Sequence, residues 1–266
     1  MDRERVLEVL ARADSTGELP RLGGMARPEG VVIASERFWA FAARDGSLRE
    51  GEMPAPPHAA RRVPLLRGLI RLFSALAPLF RGAGVARRGE RLLLTALLLA
   101  PLLLVFLPQS ASLPLGVGTA VVLVAWMFRG RTLFLHGAEH RAIAAAEERR
   151  LVATWDAKAR PSRFAPRCGT NFAALVVPVS VLFDRLWPLP AALYTPFAVT
   201  LLSLALTMEV WQIVQASPTR AARLFLLPGL ALQRLTTREP ALEETQLALT
   251  AVAAVLRREL VYPDVA

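Results

Sequence analysis

The chain of 266 residues contains one cysteine, Cys168, three histidines and a single lysine, Lys158. One cysteine cannot form an intrachain disulfide, so disulfide-rich secreted scaffolds are excluded. Because lysine is so scarce, 31 of the 32 basic side chains are arginines, against 22 acidic side chains. The net charge of +10 fits two classes of protein, those that bind nucleic acid and those that keep arginines on the cytoplasmic side of a membrane.

Charged residues are also absent from three long stretches. Leu92–Phe128 is 37 residues without a charged side chain or histidine, which is enough for two spans of 16 residues joined by a turn at residues 108–112. The other stretches, Cys168–Phe183 and Leu186–Met208, predict one span each. Spans of 16 residues are short, so a re-entrant hairpin at residues 92–128 is the alternative to two spans.

The whole pattern predicts a mainly α-helical, multi-pass membrane bundle of about four spans with a small N-terminal β element. Short apolar runs within residues 21–52 indicate strands, and an Asp-Gly pair between two of them is a hairpin signal. Residues 63–80 are apolar but carry Arg67 and Arg71 on one helical face. The two arginines on one face of an apolar helix favour a helix that lies in the membrane interface over a soluble helix that packs on the β element.

The sequence predicts six segments. They are a cytoplasmic region with a short β-hairpin (1–60), a basic interfacial helix (61–90), a transmembrane hairpin (91–129), a cytoplasmic segment with the HGAEH motif (130–167), a second transmembrane hairpin (168–215) and a C-terminal cytoplasmic region (216–266). The orientation follows from arginine, which is dense before the first span and after the second and absent from the turn between them. No apolar stretch typical of a cleavable signal peptide opens the chain. We therefore expect a cytoplasmic-membrane protein with both termini inside, whose arginines attract anionic lipid headgroups rather than nucleic acid.

Two of the three histidines occur together, as His136-Gly-Ala-Glu139-His140. Residues four apart lie on one face of a helix, so both imidazoles can bind the same divalent metal ion, with zinc the first choice. Glu139 is then placed to orient a water molecule on the metal and take its proton, in the residue order of inverted zincins. The alternative is a juxtamembrane helix whose histidines face solvent or lipid phosphates.

A catalytic zinc ion takes three protein ligands, so a third has to come from elsewhere. Cys168 is the first candidate, because Arg167 and a helix N-terminus are expected to lower its thiol pKa; a small buried cysteine is the alternative. Glu147 and Glu209 are further candidates, as ligands or as groups that support a ligand. Glu147 lies about 10 Å beyond His140 on a straight helix, too far for the same ion, and Glu209 is only interfacial if the fourth span ends there.

Two arginines near the C-terminus, Arg234 and Arg238, enclose a pair of threonines. This polar cluster suits an anion such as phosphate or a lipid headgroup, whereas the alternative is a loop in which a threonine precedes a helix. The helical periodicity of Leu242–Leu260 predicts a helix that docks on the rest of the protein.

Four blocks of sequence resemble one known family, namely GGMARPEGV at 23–31, HGAEH at 136–140, PRCGTNF at 166–172 and PGLALQRLTTREP at 228–240. Together they are similar to the YqhQ-like bacterial membrane proteins, domain-of-unknown-function family 1385. The resemblance implies the membrane architecture and a metal-dependent membrane enzyme. The candidate residues that fall in its motifs are His136, Glu139, His140, Cys168, Arg234, Arg238 and Glu29, of which Glu29 is a further alternative ligand.

Two hypotheses for function follow from these patterns. The first is a metal-dependent hydrolase at the cytoplasmic face of the membrane, and the second is a non-enzymatic scaffold that binds anionic lipid. A transporter is less favoured, because the chain shows no internal repeat and few buried charges.

Overall fold

A computed structural model describes residues 1–55, 62–81, 85–104, 128–188, 194–217 and 219–261, with isolated positions between 110 and 125. The strands are β1 (Gly23–Arg27), β2 (Gly30–Ala34), β3 (Phe38–Ala43) and β4 (Leu48–Glu52). The helices are α1 (Arg3–Ser15), α2 (Leu66–Ala75), α3 (Ala77–Arg81), α4 (Arg88–Leu104), α5 (Thr132–Glu147), α6 (Leu151–Trp155), α7 (Gly169–Arg185), α8 (Thr195–Ala216), α9 (Arg220–Thr236) and α10 (Leu242–Val261). The protein is thus mainly helical with a small β element near its N-terminus, as the sequence predicts.

The four strands form an antiparallel sheet in the order β1-β2-β3-β4, so each strand pairs with its neighbour in sequence. The turn between β3 and β4 contains Asp45 and Gly46, with Gly46 at a φ of +84°, which confirms the predicted hairpin. β1 lies at one edge of the sheet, and α5 packs against it. This edge therefore places the N-terminal sheet directly beside the helix that carries the two histidines.

Helices α1, α5 and α10 contribute to the apolar core that also contains one side of the sheet. Val31 and Ile33 of β2 are fully buried there with Leu135 of α5 and Leu249 of α10. α10 is the docking helix predicted at Leu242–Leu260, and it packs along β2, β3 and α5. The opposite side of the sheet packs on the α3–α4 region. Since both faces are covered, β2 and β3 are buried along almost their whole length.

A second group of helices, α7, α8 and α9, pack on one another, and α2 packs on α8. Arg67 and Arg71 share one face of α2, as expected, but that face meets α8. Arg67 forms an ion pair with Glu209, and Arg71 donates a 2.6 Å hydrogen bond to Gln212. These partners let α8 continue past Glu209, so the helix occupies Thr195–Ala216 rather than the predicted Leu186–Met208.

One helical segment in the described part of the chain, Phe197–Ala216, is long and apolar enough to cross a membrane. The apolar parts of α7 and α9, Gly169–Phe183 and Leu224–Thr236, are shorter. α4 contains most of the first predicted span, whereas most of the turn at 108–112 and half of the second span lie outside the described residues. The multi-pass architecture therefore stays a prediction.

The contact between α7 and α9 depends on Gly229, because a Cβ atom at this position would overlap both the side chain and the backbone of Asn171. We expect Gly229→Ala to destabilise the protein by about 1–3 kcal/mol through overpacking. Thermal unfolding followed by circular dichroism in detergent measures the effect. Gly17→Ala is the matched control, since a Cβ atom at Gly17 meets nothing within 4 Å; equal melting temperatures for the two variants would contradict the proposed contact.

Candidate metal centre

The two histidines of α5 face the junction of α7 and α9. His136 contacts the C-terminal end of α9 through the backbone carbonyl of Thr236, and it contacts Cys168, the residue that precedes α7. His140 lies one helical turn further on and contacts the carbonyl of Arg163 in the segment leading to α7. Their ring centroids are 4.4 Å apart, so the helical spacing predicted from the sequence does place both imidazoles in one cluster.

Hydrogen bonds determine which nitrogen of each ring is available. The Nδ1 atom of His136 lies 2.8 Å from the carbonyl oxygen of Thr236, and that of His140 lies 2.7 Å from the carbonyl oxygen of Arg163. A carbonyl oxygen only accepts, so Nδ1 carries the proton in both neutral rings and Nε2 keeps its lone pair. Metal-binding histidines show this arrangement, in which one nitrogen is held by a carbonyl or carboxylate and the other binds the ion.

Cys168 completes the cluster. Its Sγ atom lies 3.3 Å from Nε2 of His136, and the candidate ligand atoms of His136, His140 and Cys168 all lie within 4.8 Å of one another. A tetrahedral zinc ion, with Zn–N near 2.0–2.1 Å and Zn–S near 2.3 Å, separates such atoms by about 3.4–3.6 Å. The cluster therefore needs only small side-chain movements to hold the ion, and three ligands leave one coordination position for another group.

The Nε2 atom of His140 is buried and has no hydrogen-bond partner among the described residues. A buried polar atom without a partner carries a free-energy cost of about 1–3 kcal/mol, so natural structures rarely leave one. His140 itself is only 2% exposed. Since His140 belongs to the same cluster as His136 and Cys168, a cation bound there would be a partner for this nitrogen.

Burial dominates the electrostatics of the cluster. It lowers the pKa of His136, and together with His136 it lowers the pKa of His140 to about 4. Both imidazoles are thus neutral at pH 7, the state that binds metal. Burial and the nearby Glu139 raise the pKa of the Cys168 thiol to about 11, contrary to the lowered value expected from the sequence. Burial is thus the main cause of the raised thiol pKa, and Arg167, which the sequence placed beside the thiol, pairs with Glu147 instead.

Glu139 lies beside the cluster on the sheet side of α5. Its carboxylate accepts a hydrogen bond from the backbone N–H of Ala26 in β1, and burial raises its pKa to about 8. Its side chain lies directly over Gly24, where a Cβ atom would come within 2.7 Å of the Glu139 Cγ. The edge strand therefore supports the one acidic side chain of the HxxEH pattern, which the sequence analysis could not foresee.

The other acidic candidates do not join the three donor atoms. Glu147 pairs with Arg167, and Glu209 lies in α8 against Arg67. Glu29 lies in the turn between β1 and β2, with its carboxylate 3.7 Å from the guanidinium of Arg27. Among the described residues, the group of converging metal-binding atoms comprises His136, His140 and Cys168.

The two arginines predicted to bind an anion lie at the end of α9 and just beyond it. Arg234 and Arg238 are both exposed. The loop considered as the alternative to an anion site is partly helical, because α9 continues through Pro228 to Thr236. The backbone of Arg238 contacts α5, where its N–H donates a 2.9 Å hydrogen bond to the carbonyl of Leu133.

Sequence reasoning missed the residues that hold the Cys168 segment in place. Gln233 of α9 is fully buried, and its side-chain amide forms hydrogen bonds to both the N–H and the carbonyl of Ala165, at 2.9 and 2.8 Å. Asn171 donates to the carbonyls of Ala165 and Pro166. The sequence did contain one signal for this role: Gln233 is a polar residue that follows an apolar helical stretch.

Comparisons with known proteins agree with the resemblance seen in the sequence. Residues 115–258 match the model of a family described as a protein of unknown function, DUF1385. The chain is 25% identical over 298 aligned positions to the uncharacterized protein YqhQ of Bacillus subtilis (strain 168), covering 90% of this chain and 93% of that protein. No solved structure matches the chain.

If Gln233 holds the Cys168 segment, replacing it should expose the thiol. Gln233→Leu leaves the N–H of Ala165 without its partner, at a cost of about 1–3 kcal/mol. We therefore expect faster alkylation of Cys168 in the folded protein, which is easily measured because the chain has one cysteine. Gln246→Leu is the control, since Gln246 also bonds a backbone carbonyl, that of Trp155. Unchanged alkylation in Gln233→Leu would show that another contact holds the segment.

Proposed function

The chain belongs to the DUF1385 family of proteins of unknown function, and we propose that it is a membrane-bound metalloprotein in which His136, His140 and Cys168 hold a divalent cation. Two observations carry the proposal: the buried Nε2 atom of His140 has no partner among the described residues, and one potential ligand atom from each of His136, His140 and Cys168 lies within 4.8 Å of the other two. Nitrogen and thiolate ligands in this number favour zinc over magnesium or calcium.

Charge balance supports the same assignment. A buried divalent cation needs compensating negative charge, which the Cys168 thiol and the Glu139 carboxyl group would supply by losing their protons on metal binding. The two imidazoles add no charge, because each is neutral with its proton on Nδ1. The cluster and its neighbour thus match a divalent ion in both donor type and net charge.

We assign hydrolysis as the reaction class. A bound zinc ion would polarise a substrate carbonyl or phosphoryl oxygen and make a water molecule more acidic. In this assignment a bound cation would lower the pKa of the Glu139 carboxyl group from its value of about 8. The carboxylate then accepts the proton from the attacking water, while the N–H of Ala26 keeps it oriented. Thr236 and Arg163 orient the two imidazoles through their carbonyl groups.

The helical half of the protein supports a membrane location. Large apolar side chains are exposed along α7, α8 and α9, namely Val177, Val181, Leu182, Phe197, Ile213, Leu224, Phe225, Leu227, Leu232 and Leu235. By contrast, no large apolar side chain within residues 1–55 is exposed. Contiguous exposed apolar surface is rare in water-soluble monomers. We therefore assign α7 and α8, together with α4, to the lipid bilayer as spans and α9 to the membrane interface, with the metal centre at the cytoplasmic face.

The metal assignment predicts stoichiometric zinc in protein purified without chelator, measured by mass spectrometry of the metal content. His136→Ala, His140→Ala and Cys168→Ser should each lower the zinc content by at least about tenfold, since each removes one of three ligands. His58→Ala is the matched control, because His58 is the one histidine outside the motif. In cobalt-substituted protein, the thiolate-to-metal absorption band should disappear in Cys168→Ser.

Metal content alone does not test the hydrolase assignment. Glu139→Gln should retain the metal and lose chelator-sensitive hydrolysis in a screen of ester and phosphoester substrates. The metal centre would be refuted if wild-type protein contains no zinc, or if the zinc content is unchanged in His136→Ala and His140→Ala. Metal without hydrolysis, combined with vesicle binding that weakens steeply with salt, would favour the scaffold that binds anionic lipid.

Membrane topology can be tested with single cysteines introduced into the Cys168→Ser background. Positive-inside orientation predicts that Ser110→Cys is labelled by a membrane-impermeant maleimide in intact cells, whereas Lys158→Cys is labelled only after permeabilisation. If both positions are labelled only after permeabilisation, residues 92–128 form a re-entrant hairpin. Recovery of the protein in the soluble fraction would refute the membrane assignment.

A further inference from the structure

A cavity of about 290 Å³ lies beyond His140 along α5. Its apolar wall includes Leu22 and Ile143, and its polar lining consists of Arg21, Glu147, Arg149 and Arg167. Three arginines and one glutamate thus line the cavity. From this excess of positive charge beside the metal centre, we infer that the cavity binds the phosphate group of a substrate, either a soluble phosphate ester or a phospholipid headgroup.

Two chain segments connect the cavity to the metal centre. On α5, residues 136, 140, 143 and 147 follow one another at intervals of four, three and four, so they form a single stripe along the helix. Ile143 lies about 4.5 Å and Glu147 about 10 Å beyond His140 along the axis. The second connection is direct, because Arg167 in the cavity wall precedes Cys168 in the cluster. The cavity and the metal-binding residues are therefore neighbours along the same stripe of α5.

The ion pair of Glu147 with Arg167 shows what kind of group the cavity accepts. Both residues line the cavity, and their side chains are 48% and 40% exposed. Arg167 thus already holds an anionic oxygen at the rim, where an incoming phosphate can compete for it. Guanidinium groups suit phosphate because they offer two parallel N–H donors.

The remaining two arginines differ in how firmly they are held. Arg149 has a left-handed backbone conformation, with φ of +56°, and its guanidinium donates hydrogen bonds to the carbonyls of Ala13 and Gly17 at the end of α1. This leaves some of its five donors for another partner. Arg21 is exposed and has no ion-pair partner in the described part of the chain, so its charge is available to a ligand.

The inference rests on the proposed function for the role of the cavity as a substrate subsite, but phosphate binding itself requires no metal. It can therefore be measured separately, by the broadening of the phosphorus NMR signal of inorganic phosphate in chelator-treated protein. Arg21→Gln and Arg167→Gln should each weaken binding by about 3–10-fold. Glu147→Gln should tighten it by about 2–5-fold, because it removes the competing carboxylate.

The controls separate the cavity from its surroundings. Arg3→Gln removes an exposed arginine outside the cavity and should leave phosphate binding unchanged. His136→Ala should also leave it unchanged; loss of binding in that variant would place the anion at the metal centre and overturn the inference. Equal phosphate affinity in wild type, Arg21→Gln and Arg167→Gln would overturn it as well, even if the zinc content matches the proposed function.

The source of the phosphate is decided by a second titration. Nanodiscs or vesicles of phosphatidylglycerol compete with inorganic phosphate if the cavity accepts lipid headgroups, and phosphatidylcholine vesicles are the uncharged comparison. If phosphatidylglycerol displaces inorganic phosphate from wild type but not from Arg21→Gln, the cavity binds a lipid headgroup. Phosphate binding that is unaffected by either lipid assigns it to a soluble phosphate ester.

Discussion

The candidate metal centre depends on two hydrogen bonds from imidazole to backbone. His136 donates to Thr236 at the end of one helix, and His140 donates to Arg163 in a loop. The last carbonyls of a helix have no partner within it, so the end of α9 is a natural acceptor. Together these bonds hold both rings by Nδ1, which leaves Nε2 of each ring free of a carbonyl partner and places that of His136 3.3 Å from the Cys168 Sγ atom. The packing of α9 and of the loop is therefore what turns a common helical motif into a converging set of ligands.

The centre also lies at the boundary between two differently built halves. On one side, the sheet with α1, α5 and α10 has a closed apolar core. On the other, α7, α8 and α9 leave apolar side chains exposed, while the Arg67–Glu209 ion pair compensates a carboxylate within the most membrane-like helix. A site at this boundary suits a reactant that is partly in water and partly in lipid.

Sequence periodicity was sufficient for the local features of the fold and the site. The i,i+4 spacing of His136 and His140, the hairpin and the docking helix all depend on residues close together in the chain. The sequence could not reveal that Pro228 lies inside α9, because tertiary packing on α7 outweighs a helix-breaking residue. It also could not supply the carbonyl contacts, since a backbone group has no residue signature. The raised thiol pKa was out of reach too, because it depends on burial and on the nearby Glu139.

His136 and the carbonyl of Thr236 that orients it are 100 residues apart in the chain, so the ribosome makes one well before the other. At ribosomal rates of about 5–20 residues per second, the carbonyl that orients this imidazole emerges roughly 5–20 s after the ring itself. During that interval the nascent chain carries a histidine pair and then a thiol without their final geometry. For the proposed metal centre, we therefore expect tight metal binding to follow the packing of α9, since only then is the carbonyl of Thr236 in place to orient His136.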